Sequence, residues 1–169
     1  LTETSAKNAA IKKELTIASD IQMNLLEKNP CTQWSPNMTF SAYLKPAKDV
    51  GGDFYDVIEK NETVYVTIGD VSGKGVSAAL VMAATLTSLR TTINYLNDPT
   101  DIITTVNQQI SKHNPNMMFI TLFFAAINTK TGIIDYVNAG HPSPLICHNG
   151  IQALPPTNGA VLGIDEHHY

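Results

Sequence analysis

The stretch Val50-Gly51-Gly52-Asp53-Phe54-Tyr55-Asp56-Val57-Ile58-Glu59-Lys60-Asn61-Glu62-Thr63-Val64-Tyr65-Val66-Thr67-Ile68-Gly69-Asp70-Val71-Ser72-Gly73-Lys74-Gly75 decides how this chain folds. Two strand-like runs, 53–59 and 63–70, flank Lys60-Asn61-Glu62, a connection short enough for a hairpin. Paired in that way, Asp53 and Asp70 come to the same open end, opposite the turn. Carboxylates brought together repel unless a proton or a cation comes between them. Hard oxygen donors without His or Cys favour Mg²⁺, Mn²⁺ or Ca²⁺ over Zn²⁺. The competing reading is that both are turn carboxylates, since Asp and Gly punctuate loops generally; spacing alone does not choose between the two.

Working outward, residues 76–96 predict a helix. Ala79, Met82, Leu86, Leu89, Ile93 and Leu96 form one stripe, widened by Val76, Leu80 and Ala83, a face broad enough to be buried against a sheet. Asp98-Pro99-Thr100-Asp101 starts a second helix, with Asp98 as N-cap and Ile103, Val106 and Ile110 facing inward. Strands are predicted at 38–45, 118–127 and 133–137, with a last hairpin of 144–148 and 151–154 turning at Asn149-Gly150. Hairpin-rich blocks around two antiparallel helices predict an α+β sandwich, not alternating βαβ units.

The first 28 residues lack Gly and Pro, and Ile11, Leu15, Ala18, Ile21 (or Gln22) and Leu25 make a narrow helical seam that Glu27-Lys28-Asn29-Pro30 should end. So thin a stripe suits a connector or a coiled-coil strand. Residues 1–29 are therefore read as an N-terminal helical connector and 30–169 as one domain. The chain has 169 residues, 43% hydrophobic and 15% charged, with a net charge of −4, which excludes disorder and disfavours nucleic acid or an anionic membrane surface as partner. Cys31 and Cys147 have no partner at metal-ligand spacing and cannot frame a disulfide scaffold, which fits a reducing compartment. No uninterrupted apolar run approaches a membrane span, and no signal peptide is visible. A start at Leu1 and a stop after Glu166–Tyr169 suggest a piece of something longer.

Three motifs fail on inspection. Lys74 is followed by Gly rather than Ser/Thr, so Gly69–Gly75 is not a P-loop. Gly51-Gly52-Asp53-Phe54 lacks the Glu of the diguanylate cyclase signature, and no Glu closes an EF-hand loop after Asp70. What the residues do resemble is the bacterial SpoIIE/RsbU-type serine/threonine phosphatases, metal-dependent and related to protein phosphatase 2C. The likeness lies in Val50–Asp56, in Gly69–Gly75 opening an apolar helix, and in Met118-Phe119-Ile120-Thr121. It continues in Asn138-Ala139-Gly140-His141-Pro142 and in Gly159–Ile164, all in order across residues 38–164. Residues 17–26 are similar to the helix that precedes this domain in the family.

The resemblance implies two packed antiparallel β-sheets flanked by helices, with two Mn²⁺ or Mg²⁺ ions in a cleft between the sheets. Asp70 would bridge the ions, the Val71 carbonyl would bind one, and Asp53 would hold the same site directly or through water. Two such ions ~4 Å apart activate a bridging water for in-line attack on phosphorus. It further implies a phosphoserine/phosphothreonine substrate on a regulatory protein, an anti-anti-sigma (STAS) type domain, in the cytoplasm or in the cytoplasmic part of a tethered protein. The N-terminal helix would link to a sensor or receiver module, could dimerise, and would act by moving helix 76–96. A later Asp-Gly turn and a late Asp should complete the metal site. Residues up to Tyr169 include neither, and Asp165 follows Leu162-Gly163-Ile164 too directly, so this stretch alone is expected to bind metal weakly and turn over little. The rival is a degenerate fold that docks a partner without hydrolysis.

Of the remaining residues, Asp56 could orient a metal-bound water or simply accept backbone hydrogen bonds, and it is assigned a supporting place behind the metal ligands. Gly73 and Lys74 could meet a substrate phosphate at a helix N-terminus, although a solvated Lys74 between flexible glycines is the simpler reading. His141, followed by Pro, is read as structural and left out of the site. Phe119 and Thr121 are read as core, His167-His168 as an exposed tail, and Arg90, the only arginine, as one half of a buried ion pair or a packed stem.

Overall fold

The computed structural model describes residues 2–26, 31–35, 38–46, 49–155 and 159–167. The expected helix stop at residues 27–30 and His168 lie outside them. In chain order the elements are α1 (Thr2–Leu25), β1 (Cys31–Ser35), β2 (Met38–Ser41), β3 (Phe54–Lys60), β4 (Thr63–Val71) and α2 (Val76–Tyr95). They continue with α3 (Pro99–Lys112), β5 (Ile120–Asn128), β6 (Ile134–Ala139), β7 (Leu145–Cys147) and β8 (Ile151–Ala153). The chain is thus α+β with antiparallel sheets, flanking helices and an N-terminal helix. Strands β3-β4-β5-β6 form one antiparallel sheet, while β1-β2 and β7-β8 are separate hairpins. Where the resemblance implies a second packed sheet, the described residues form these two-stranded hairpins, and both strands of β7-β8 are exposed. Phe40 of β2 lies 6.3 Å from Tyr55, and the Tyr136 hydroxyl donates to the Pro155 carbonyl just after β8.

The hairpin forms as its sequence dictates: Phe54 pairs Gly69 and Lys60 pairs Thr63, with Asn61 in the turn at φ 56. Side chains alternate across the sheet. One face presents Phe54, Tyr65, Val71, Leu122 and Phe124 to the helices, and there they form the core with Met82, Leu86, Leu89 and Ile93 of α2 and Ile102, Ile103 and Val106 of α3. Each such fully buried aliphatic side chain contributes ~1.5–3 kcal/mol. Gly69 lets Phe54 cross β4, since a Cβ there would stand 2.6 Å from Phe54 Cζ.

Helix α2 buries Met82, Leu86, Leu89 and Ile93 as its predicted stripe requires, but the stripe widens on a different side. Leu80 is 67% and Val76 49% exposed, while Ala78, Thr85 and Thr92 are buried in their place. Thr85 enters the core at little cost because its hydroxyl donates to the Val81 carbonyl at 2.8 Å. By length and composition α2 could cross a membrane, which the absence of a long uninterrupted apolar run had not suggested; here it is the central core helix. Helix α3 starts as expected, the Asp98 carboxylate accepting from the N–H groups of Thr100 and Asp101. Two buried or half-buried amides tie the C-terminal segment to α3. Asn107 accepts from Gly163 N–H and donates to the Asp165 carbonyl, and Asn114 donates to the Gly163 carbonyl.

Only the C-terminal part of α1 is packed. Gln22, the alternative to Ile21 in the predicted seam, and Leu26 just beyond the helix are buried, Leu15, Ala18 and Leu25 are half-buried, and Ile11 and Ile21 are exposed.

Candidate metal centre

Asp53 precedes β3 and Asp70 is the penultimate residue of β4, so the hairpin brings both to one end of the sheet. Asp70 pairs Thr121 across β4–β5, on the face opposite α2 and α3. The two carboxyl groups are within hydrogen-bonding reach. Partial burial pushes the Asp70 carboxyl above the ordinary carboxylate range, the charge of Asp53 and a hydrogen bond with it push the same way, and His141 opposes. Because folding raises this pKa, Asp70 contributes its stabilisation below the ordinary carboxylate pKa and loses it as pH rises through the raised value. A cation shared by the pair removes that penalty.

The donors present suit a hard divalent ion. Val71 follows Asp70 in the chain, and Gly52 approaches its carbonyl so closely that a Cβ there would stand 2.5 Å from the Val71 oxygen. Mn²⁺ or Mg²⁺ takes such all-oxygen sets. Among the described residues no third acidic, His or Cys group joins them to make a full protein cage, so the residues fit part of a coordination shell.

The loop carrying Asp53 is held from α1. Gln22 Nε2 donates to the Gly51 carbonyl at 2.6 Å and its Oε1 accepts from Gly51 N–H at 3.1 Å. Gln22→Ala should therefore weaken Mn²⁺ binding at Asp53 by about tenfold, as loss of an outer supporting contact does; titration calorimetry of the variant checks this, and unchanged affinity would show that the clamp plays no part.

Asp56 is placed elsewhere. Lying three residues from Asp53 along the strand, it falls on the helix-facing side, where its carboxylate accepts two hydrogen bonds from Arg90, at 2.7 and 2.9 Å. That corrects its assignment behind the metal ligands and makes it the partner of Arg90. Gly73 and Gly75 take φ 93 and 76, a left-handed backbone leading into α2, and Lys74 is exposed. Phe119 is 42% exposed rather than core. Thr121 is half-buried, and its hydroxyl oxygen lies 2.9 Å from His141 Nδ1. The sequence reading had left both of these residues outside the site. A groove of about 550 Å³ between α2 and α3, lined by Val81, Thr87, Ser88 and Gln109, and one of about 610 Å³ at the β3–β4 turn lie away from the carboxylates.

The sequence model of the family described as Stage II sporulation protein E (SpoIIE) matches residues 60–169. The chain belongs to the SpoIIE family. It is 30% identical over 131 residues to the phosphoserine phosphatase RsbU of Bacillus subtilis (strain 168), covering 78% of this chain and 38% of that relative. Among solved structures, the SiaA-PP2C domain of Pseudomonas aeruginosa aligns with 94% of this chain and 65% of its own, at TM-score 0.77 and 19% identity, a likeness of fold. The RsbU and RsbW domains of Rv1364c from Mycobacterium tuberculosis align with 72% of this chain and 35% of that one, at TM-score 0.64 and 27% identity. The SpoIIE-family chain thus spans about two-fifths of the length of RsbU.

Proposed function

We propose that this chain carries part of the active centre of a Mn²⁺- or Mg²⁺-dependent phosphatase that hydrolyses phosphoserine or phosphothreonine on a regulatory protein. The observation that carries the reading is the Asp53–Asp70 pair, two carboxylates that the hairpin forces together at a solvent-open sheet end. Kinship with a phosphoserine phosphatase supports the reaction class. Asp53, Asp70 and the Val71 carbonyl would hold the ions, which when bound supply an activated water and polarise the phosphoryl oxygens. The chain's own part is to fix two oxygens by strand pairing, to keep Val71 open through Gly52, and to offer the amides of Gly73–Val76 to an anion at the start of α2.

By family resemblance the substrate is a phosphorylated STAS-type domain, and the setting is the cytoplasm. Helix α1 would carry signals from an upstream sensor or receiver. The Gln22–Gly51 clamp gives it a direct mechanical route to Asp53.

The intact protein, given a phosphoserine peptide, should release phosphate with Mn²⁺ or Mg²⁺ and stop when a chelator is added. Release that ignores the chelator would overturn the metal assignment. Tight binding of a phosphoprotein without any release would favour a docking module.

A further inference from the structure

His141 is presented to the carboxylate pair by several independent restraints. Gly140 turns the chain at the end of β6 with φ 67. Asn138, itself buried, grips the His141 backbone from both sides: its Oδ1 accepts from His141 N–H at 2.8 Å, and its Nδ2 donates to the His141 carbonyl at 2.9 Å. Thr121 then fixes the ring. Its hydroxyl oxygen lies 2.9 Å from Nδ1 and 3.5 Å from the Asp70 carbonyl, so when the hydroxyl donates to Asp70 its lone pair receives Nδ1–H. Nε2 is left as the open nitrogen, with no hydrogen-bond partner among the described residues.

We propose, resting on the phosphatase reading above, that His141 is a catalytic residue whose Nε2 hands a proton to the seryl or threonyl oxygen as that oxygen leaves phosphorus. The water oxygen bonds to phosphorus while the phosphorus–oxygen ester bond breaks. The ester's electron pair stays on the leaving oxygen, which takes the Nε2 proton. A proton released by the attacking water restores the imidazolium, and the products are the alcohol and hydrogen phosphate. Burial lowers the His141 pKa from the ordinary histidine value, and the charges of Asp70 and Asp53 act on it in the opposite sense.

The test compares two leaving groups in the intact protein. A seryl oxygen needs a proton to leave, whereas p-nitrophenolate leaves as a stable anion. His141→Ala should lower kcat on a phosphoserine peptide by about 10²-fold, the usual reach of a general acid, and should affect p-nitrophenyl phosphate far less. Thr121→Val, which keeps the ring but removes its anchor, should show the same selectivity at smaller size, and serves if the alanine variant does not fold. Equal losses on both substrates, or no loss on the peptide, would overturn the assignment while leaving the phosphatase reading in place. A wild-type protein without metal-dependent turnover of either substrate would overturn that reading and the role of His141 with it.

Discussion

Replacing Asp70 by Asn in the intact protein is expected to reduce kcat on a phosphoserine peptide by more than the roughly 10–100-fold that loss of an outer supporting contact costs at a metal site. The substitution removes the charge placed where the hairpin's open end, Thr121 and His141 all converge. It should not unfold the chain. In the metal-free state Asp70 faces Asp53, and the amide ends a like-charge repulsion that already pushes the Asp70 pKa upward. The metal-free variant should melt at the same temperature as wild type or slightly higher, while Mn²⁺ stabilises wild type alone. Lost activity with an unchanged melt separates a functional carboxylate from a structural one; a variant that keeps wild-type kcat would remove Asp70 from the centre.

The second large effect concerns stability. Arg90→Met strips the bidentate partner from Asp56, whose side chain is 3% exposed, and leaves a carboxylate on the core side of the sheet. Arg90 also donates to the Leu25 carbonyl at 2.7 Å, so the same change loosens α1. Breaking a buried pair from one side costs ~3–5 kcal/mol, and since the Arg90 side chain is 39% exposed the lower end applies. At ~2–4 °C per kcal/mol for a domain of this size, the Tm should fall by about 6–12 °C. Asp56→Leu combined with Arg90→Met should recover much of that, because two apolar side chains leave no stranded charge. A single variant that melts like wild type would mean that solvent already satisfies the carboxylate.

Much of this was legible in the chain itself, for identifiable reasons. The β3–β4 hairpin and the start of α3 are set by local chemistry, a short polar turn in one case and an Asp98 cap in the other, and both stand where the residues place them. The inner stripe of α2 was legible in Met82, Leu86, Leu89 and Ile93, but the burial of Thr85 and Thr92 beside it was not: the Thr85 hydroxyl is satisfied within its own helix, so the residue can pass for apolar. Gln22 entered the α1 interface for a similar reason, its amide matched at both ends by the Gly51 peptide. The misplacement of Asp56 was avoidable in principle. Along a strand, residues an odd number apart face opposite ways, so Asp53 and Asp56 could not both serve one side. His141 is a different matter. Thr121 ties it to the strand of Asp70, a contact between β5 and the residue that follows β6 by two, and its neighbours in the sequence do not carry that information.

The most direct test of the account is calorimetric titration of Mn²⁺ into residues 1–169 beside the Asp70→Asn and Asp53→Asn variants. The account predicts measurable binding by wild type, weak in keeping with two carboxylates and one carbonyl, and its loss in both variants. Binding that survives both substitutions would place the ion elsewhere and contradict a metal centre at the open end of the β3–β4 hairpin.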